Sequence, residues 1–291
     1  MHSAANVRMT LRPAGENTGI VFVRTDRHSA AVRADVANVS DTTLSTTIAE
    51  GGVQVATVEH LLSALYGLSV DNLVVELNNE EVPIMDGSSR PFVDIVNMVG
   101  LVEQSAPREY IRINRPIRVD QGDAWAALEP FDGFSASYTF EAEHPVYECH
   151  PKQARVDFLE TSYVEEVSCA RSFGLVDELA QAQAINKCLG SSLKNAVGIG
   201  DREILNPEGL RYSNEFVKHK ILDAIGDLYL LGRPIIGAFV GYKSGHSLNN
   251  KLGRALLRCE DAWDVVVPQM PGVVRPESMP SKSGSSTVSY L

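Results

Sequence analysis

His219 and Asp223 stand four residues apart in the stretch NEFVKHKILDAIGDLYLLG, residues 214–232. On a helix that spacing projects both side chains from one face, close enough to grip a single ion. Asp227 carries the same face one turn further. Taken alone, the pair reads more simply as a capped histidine and two solvated carboxylates on an amphipathic helix. Two other stretches change that weighting. Glu59 and His60 adjoin in TVEHLLSAL, residues 57–65, and KSGHSLNNK, residues 243–251, presents His246 from a glycine turn at the start of another helix. Two histidines and a carboxylate are a common ligand set for catalytic zinc that leaves a fourth position for water, and a glutamate beside them can serve as general base. His60, His219 and Asp223 are therefore candidate ligands and Glu59 the candidate base, provided the fold brings three distant stretches together.

The elements that must do this are legible as patterns. Phe216, Val217, Ile221, Leu222, Ile225 and Leu228 recur at helical spacing, with Ser213 or Asn214 as cap and Gly232 and Pro234 as stop signals, predicting a helix over 213–231. A second helix is expected after a Thr57 cap, a third over 91–102 with Pro91 in its first turn, and a fourth from His246 to about Asp261. Strands are expected at 7–12, 20–24, 32–39, 44–48, 72–77, 110–119, 125–129, 135–140 and 235–242. Met85-Asp86-Gly87-Ser88 reads as a turn joining strand to helix. The order of strands and helices before a break near 104–107 recurs after it, without any repeat of sequence. The expectation is an α+β fold in two parts, 1–106 and 107–267, followed by a flexible tail at 268–291.

At 291 residues the chain is long enough for two ordinary cores, and its 44% apolar and 22% charged content is that of a globular protein. No apolar run reaches membrane-spanning length and no basic-then-apolar leader opens the chain, so the expected compartment is the cytoplasm. A net charge of −11 argues against a general nucleic-acid binder. Cys149, Cys169, Cys188 and Cys259 are too scattered for a zinc cage or a disulfide framework and read as reduced thiols.

Five stretches, TVEHLLSAL at 57–65, VPIMDGSSRPF at 82–92, ARSFG at 170–174, GLRYSNEFVKHKILDAIGDL at 209–228 and IIGAFVGYKSGHSLNNKL at 235–252, resemble the zinc-dependent UDP-3-O-acyl-N-acetylglucosamine deacetylases of lipid A synthesis. They lie in family order across nearly the whole chain. The resemblance implies two similar α/β-sandwich halves packed through their helices, with Zn²⁺ between them. The implied reaction removes the N-acetyl group from UDP-3-O-(3-hydroxyacyl)-N-acetylglucosamine, releasing acetate, as the committed step of lipid A biosynthesis. It further implies that protonated His246 stabilises the oxyanion or supplies a proton to the amine, that Asp227 keeps His246 charged, and that the Ser172 hydroxyl, where the family usually has threonine, helps hold the oxyanion.

By the same resemblance Lys220 and Lys243 meet the diphosphate or nearby oxygens, and Phe173 packs against the sugar and acyl group. Residues 175–199 form a β-α-β insert whose Leu179, Cys188, Leu193 and Ala196 line a passage for the acyl chain. Ala142 stands where the family places an aromatic side chain against uracil. Met1-His2-Ser3 matches the end of a Gly-Leu-His-Ser-Gly motif, so the working protein is expected to begin upstream, with a first strand that this sequence does not include. The partner implied is the acylated UDP-sugar, in the cytoplasm of a Gram-negative bacterium and with the protein as a monomer. Two alternatives stand beside this reading: a catalytically weakened nucleotide-sugar binding relic, and a zinc amidase of different substrate.

Overall fold

The computed structural model describes residues 1–268; the expected tail at 268–291 lies, beyond its first residue, outside the described residues. The N-terminal part opens with β1 (Met9–Pro13), β2 (Ile20–Arg24), β3 (Ala30–Arg33), β4 (Val39–Asp41), β5 (Thr47–Glu50) and β6 (Val53–Val55), and continues with α1 (Glu59–Gly67), β7 (Leu73–Leu77) and α2 (Arg90–Val99). Strands β1-β7-β2-β3 form one sheet, in which β7 and β2 run parallel, and β4-β5-β6 form a small antiparallel meander.

The later part contains β8 (Tyr110–Ile113), β9 (Ile117–Gln121), β10 (Ala124–Glu129), β11 (Phe134–Thr139), α3 (Pro145–Glu148), β12 (Gln153–Asp157) and α4 (Tyr163–Glu166). These are followed by β13 (Phe173–Leu175), α5 (Val176–Ala184), β14 (Val197–Ile199), α6 (Glu215–Tyr229), β15 (Ile235–Tyr242), α7 (His246–Arg258) and β16 (Trp263–Val266). The larger sheet runs β12-β11-β15-β10-β9, with β8 beside β15 and β16 beside β8. Strand β15 is its centre, and its residues alternate between buried and half-buried along the whole length, as period-two side-chain alternation requires. The α+β class expected from the patterns is the one observed. Among the described residues no helix is long and apolar enough to cross a membrane.

Several expected boundaries give way to backbone chemistry. The strand expected at 32–39 breaks at Asp35, whose carboxylate accepts from Ala37 N and starts a short 3-10 turn over Val36–Asn38. The one expected at 110–119 is two strands, because Pro116 has no amide hydrogen to continue a ladder. That at 44–48 starts only at Thr47, since Leu44 has a left-handed φ of 61°. Thr57 does not cap α1: its φ of 60° turns its hydroxyl toward Glu81 Oε1, 3.3 Å away, and Val58 takes the cap position without a side-chain bond. Neither Ser213 nor Asn214 caps α6 through its side chain; instead Glu215 reaches back to accept from Arg211 N at 2.6 Å. Helix α7 stops at Arg258, short of the expected end near Asp261, and β16 was not anticipated.

Helix α6 lies in the middle of the molecule, against α1, α7 and β11. Of its 15 residues only Lys220 escapes burial, so the polar residues on it are enclosed together with the apolar ones. Its approach to α1 is set by Gly226, where an added Cβ would sit 2.0 Å from the Glu59 carbonyl oxygen. That contact is backbone on one side, so nothing flexible can move aside. Gly226→Ala should therefore destabilise the protein by about 1–3 kcal/mol through overpacking, despite the better helix propensity of alanine. It should also weaken metal binding by displacing Glu59 and His60. Gly15→Ala, where the nearest atom is 3.9 Å from the added carbon, serves as the neutral control in melting and metal-titration experiments.

Candidate metal and catalytic site

The α1–α6 contact brings the candidate ligands together. His60 comes from the first turn of α1 and His219 and Asp223 from successive turns of α6, and all three are buried. His60 Nε2 lies 3.5 Å and His219 Nε2 3.3 Å from Asp223 Oδ1. The two imidazoles meet edge to face with centroids 5.0 Å apart.

On α6 this arrangement sets two acceptors face to face. Burial pushes the His219 pKa down to about 3, so the ring is neutral. Its Nδ1 lies 3.1 Å from the Ala170 carbonyl oxygen, which can only accept, so Nδ1 carries the hydrogen and Nε2 a lone pair. That lone pair faces Asp223 Oδ1, a buried oxygen without a hydrogen-bond partner. Burial opposes charge on Asp223, yet its neighbours His219 and Lys220 hold its carboxyl well below the usual range. With His219 neutral, the Lys220 ammonium, 3.1 Å from Oδ2, is the partner that matters. A buried carboxylate oxygen without a hydrogen-bond partner, faced by the His219 lone pair, is unfavourable, and a cation between them relieves it. The separations also suit one: ligand atoms at about 2.0–2.1 Å from a tetrahedral zinc are roughly 3.3 Å from each other. The residues present fit a small divalent metal.

Glu59 lies beside this cluster. It is fully enclosed, burial raises its pKa, and its Oε2 accepts from Thr46 N at 3.0 Å. His246, the first residue of α7, reaches in from the opposite side, with Nε2 3.9 Å from Glu59 Oε1 and Nδ1 2.8 Å from Asp227 Oδ2. Burial works against the imidazolium, but the Asp227 carboxylate overcomes it and lifts the His246 pKa to about 10. Asp227 is itself saturated: Thr46 Oγ1 donates to Oδ1 at 2.5 Å and Asn249 Nδ2 to Oδ2 at 2.9 Å. Thr46 thus holds the candidate base through its backbone and the partner of the candidate acid through its side chain. Sequence reasoning missed it, having no local signal for contacts 13 and 181 residues away. Asn249 was also missed, although its place three residues after His246 puts it on the same helical face.

The remaining expected residues are placed unevenly. Ser172 is half-buried, its N–H donating to Gly87 O and its carbonyl accepting from Val197 N, both at 2.8 Å. Phe173 packs on Phe216 and lies 5.9 Å from the His219 ring, with Lys220 Nζ 5.4 Å from its own centroid. Lys220 therefore belongs to the cluster. Lys243 instead pairs with the exposed Asp123 carboxylate. Strands β13 and β14 pair in parallel around α5, giving the expected β-α-β order. Within it Leu179 is half-buried, Ala196 buried and Leu193 43% exposed, with the Leu193 side chain over Gly198. Cys188 turns toward His2, its N–H donating to His2 Nδ1 at 3.1 Å. The Met85–Ser88 stretch is the expected turn: Asp86 Oδ1 accepts from Ser88 N, and Gly87, at φ 86°, abuts Asn195 of the insert so closely that a Cβ would be 2.1 Å from its carbonyl oxygen.

Comparison with known proteins bears on this geometry. Residues 1–258 match the family model described as LpxC: UDP-3-O-acyl N-acetylglycosamine deacetylase. Proteins named UDP-3-O-acyl-N-acetylglucosamine deacetylase are similar over 267 residues, which is 91% of this chain and 88% of each relative. Those from Acidithiobacillus ferrooxidans and Thioalkalivibrio sulfidiphilus are 51% identical to it, and that from Marinobacter nauticus 52%. With the match extending over the strands and helices that carry every residue of the cluster, the chain belongs to the UDP-3-O-acyl N-acetylglycosamine deacetylase family.

Proposed function

We propose that this protein hydrolyses the N-acetyl group of UDP-3-O-(3-hydroxyacyl)-N-acetylglucosamine with Zn²⁺ held by His60, His219 and Asp223. The family is that of the deacetylase of lipid A biosynthesis, an amide hydrolase. The observation that carries the metal assignment is the buried meeting of His219 Nε2, His60 Nε2 and the unpartnered Asp223 Oδ1. When bound, the ion polarises the amide carbonyl and makes water a competent nucleophile near neutral pH.

The side chains divide the proton chemistry. Glu59, whose raised pKa makes it a better base than an exposed carboxylate, takes a proton from water as oxygen adds to the acetyl carbon. His246, charged through Asp227, faces the negative charge that develops on the carbonyl oxygen and gives its proton to the nitrogen as the C–N bond breaks. Acetate and a free amine result. Ser172 adds a hydroxyl donor to the oxyanion, and Phe173 with Lys220 bounds the sugar. Lys243 meets a phosphate by exchanging Asp123 for it. The 175–199 insert receives the acyl chain along Leu179, Cys188, Leu193 and Ala196. Residues 1–106 and 107–267 act as two units joined across α1 and α6, in a cytoplasmic monomer. Acetate release from the UDP-sugar, abolished by a chelator and restored by Zn²⁺, tests the reading as a whole.

Ligand and base should separate under mutation. His219→Ala should lose zinc and activity together. Glu59→Ala should retain near-stoichiometric zinc while turnover falls by about 10²–10⁴-fold, since Glu59 makes no metal bond in this assignment. Metal analysis beside steady-state kinetics reads both, and a metal-free Glu59→Ala protein would remove Glu59 from the base role.

The pH–rate profile should be bell-shaped, falling on the acid side as Glu59 protonates and on the basic side as His246 loses its proton. A bound dication lowers both, so the basic limb should lie below the value of about 10 that His246 has without one. Asp227→Asn takes away the carboxylate that favours the imidazolium, and the basic limb should move to lower pH. A basic limb left in place by both Asp227→Asn and His246→Gln would refute the acid assignment.

A further inference from the structure

Arg171 and Glu215 are 2% and 0% exposed and form an ion pair that no step of the reaction uses. Their geometry does more than neutralise charge. The peptide unit joining Ala170 to Arg171 is planar and trans, so its C=O and N–H point in opposite directions. The carbonyl accepts from His219 Nδ1 at 3.1 Å, and the N–H of the same unit donates to Glu215 Oε1 at 3.0 Å. Glu215 and His219 are four residues apart on α6, so this one peptide lies along a single turn of the helix and is held at both ends by it.

We propose that Glu215, acting through the 170–171 peptide, is a positioning residue that selects the tautomer of His219 and directs its Nε2 lone pair into the metal site. Both Glu215 oxygens are saturated by donors: Arg171 N at 3.0 Å and Nε at 2.8 Å on Oε1, Arg171 Nη2 at 3.2 Å and Arg211 N at 2.6 Å on Oε2. Arg171 is held in turn by Glu208 and by the Gly209 carbonyl, each at 2.7 Å, so the carboxylate cannot swing away from the peptide. A carboxylate accepting the N–H polarises the peptide and makes its carbonyl a stronger acceptor for the Nδ1 hydrogen. That places the hydrogen on Nδ1 and electron density on Nε2, the two conditions for a neutral imidazole ligand. Without Glu215 the peptide N–H loses its acceptor and the carbonyl its polarisation, and the Nε2–H tautomer, which cannot ligate through Nε2, becomes available.

The inference rests on His219 being a metal ligand, which zinc binding by wild type and its loss in His219→Ala test separately. Glu215→Leu leaves Arg171 buried without its partner and will lower stability whatever else it does. The informative variant is therefore the double replacement Arg171→Met with Glu215→Leu, which removes both charges together with the acceptor for the peptide N–H. In the metal-free protein the double variant should melt closer to wild type than Glu215→Leu does. Its zinc affinity, measured by chelator competition well below the melting temperature, should remain weaker by about 10–100-fold. Nitrogen-15 spectra of the metal-free, histidine-labelled protein should show the Nδ1–H signal of His219 in wild type and its loss or exchange with an Nε2–H signal in the variant. This readout does not depend on metal at all. Zinc affinity within twofold of wild type, or a His219 tautomer unchanged in the double variant, would reduce Glu215 to a structural ion-pair partner. If the double variant does not fold, Arg171→Leu with Glu215→Met, which likewise offers no oxygen to the peptide N–H, carries the same two measurements under the same criteria.

Discussion

Asp223 Oδ1 is buried 3.3 Å from His219 Nε2 and 3.5 Å from His60 Nε2, and a carboxylate oxygen facing the His219 lone pair is relieved by a positive charge between them. Much of the surrounding structure can be read as what is needed to hold that confrontation in place. Gly226 lets α1 come close enough for His60 to face α6. On Asp223 and His219 the atom turned away from the cluster has its own partner, Oδ2 with Lys220 and Nδ1 with the Ala170 carbonyl, leaving the inward atoms as acceptors. His60 differs, for its Nδ1 is buried without a partner among the described residues, and its ring is held by packing, including the edge-to-face contact with His219.

A second set of constraints lies beside the cluster and gives Glu59 and His246 different surroundings. Glu59 receives one backbone hydrogen bond and is otherwise enclosed, which favours its uptake of a proton. Asp227 receives three bonds, from Thr46, His246 and Asn249, and passes the benefit to His246 as a stabilised imidazolium. The raised pKa of each group has a different origin: desolvation of an acid in one case, a carboxylate partner for a base in the other. The N-terminus of α7 is an unfavourable place for a cation, so the Asp227 bond must also outweigh the helix dipole. Thr46 ties the proposed base to the partner of the proposed acid, since shifting one residue would disturb both carboxylates.

How much of this was readable from the chain depended on where the information lies. His219, Asp223 and Asp227 were legible because helical periodicity is local, and Glu59, His60 and His246 because they stand in stretches with a family resemblance. Strands 20–24 and 235–242 were found to the residue, each being a run of apolar and β-branched side chains between turn signals. Thr57 misled because its side chain is that of a cap, whereas its positive φ turns the hydroxyl to Glu81, a residue 24 positions on. The contacts of Thr46 and the clamp on the 170–171 peptide were invisible for a related reason. They depend on backbone groups, which every residue possesses, so no residue type announces them. Lys243 was legible only as a charge; its partner Asp123 is 120 residues away, on another turn.

The α6 helix also separates two uses of buried charge. Its hydrophobic residues sit at helical spacing, and that pattern alone predicts a wet polar face opposite them; the face is instead enclosed by α1, α7 and the segments around 170 and 211. Burying carboxylates is costly unless each is compensated, and along this helix the compensation changes from turn to turn. At Glu215 it is complete within the protein, four donors on two oxygens with an arginine supplying the charge. At Asp227 it is complete once His246 is protonated. At Asp223, between them, Oδ2 is compensated by Lys220, and Oδ1 is left facing the His219 lone pair. All three side chains are buried, so exposure to solvent does not account for the difference. A helix that neutralises its charges above and below a point and leaves one uncompensated at that point offers a place that fits a cation supplied from outside, and the flanking turns hold the facing atoms where they are.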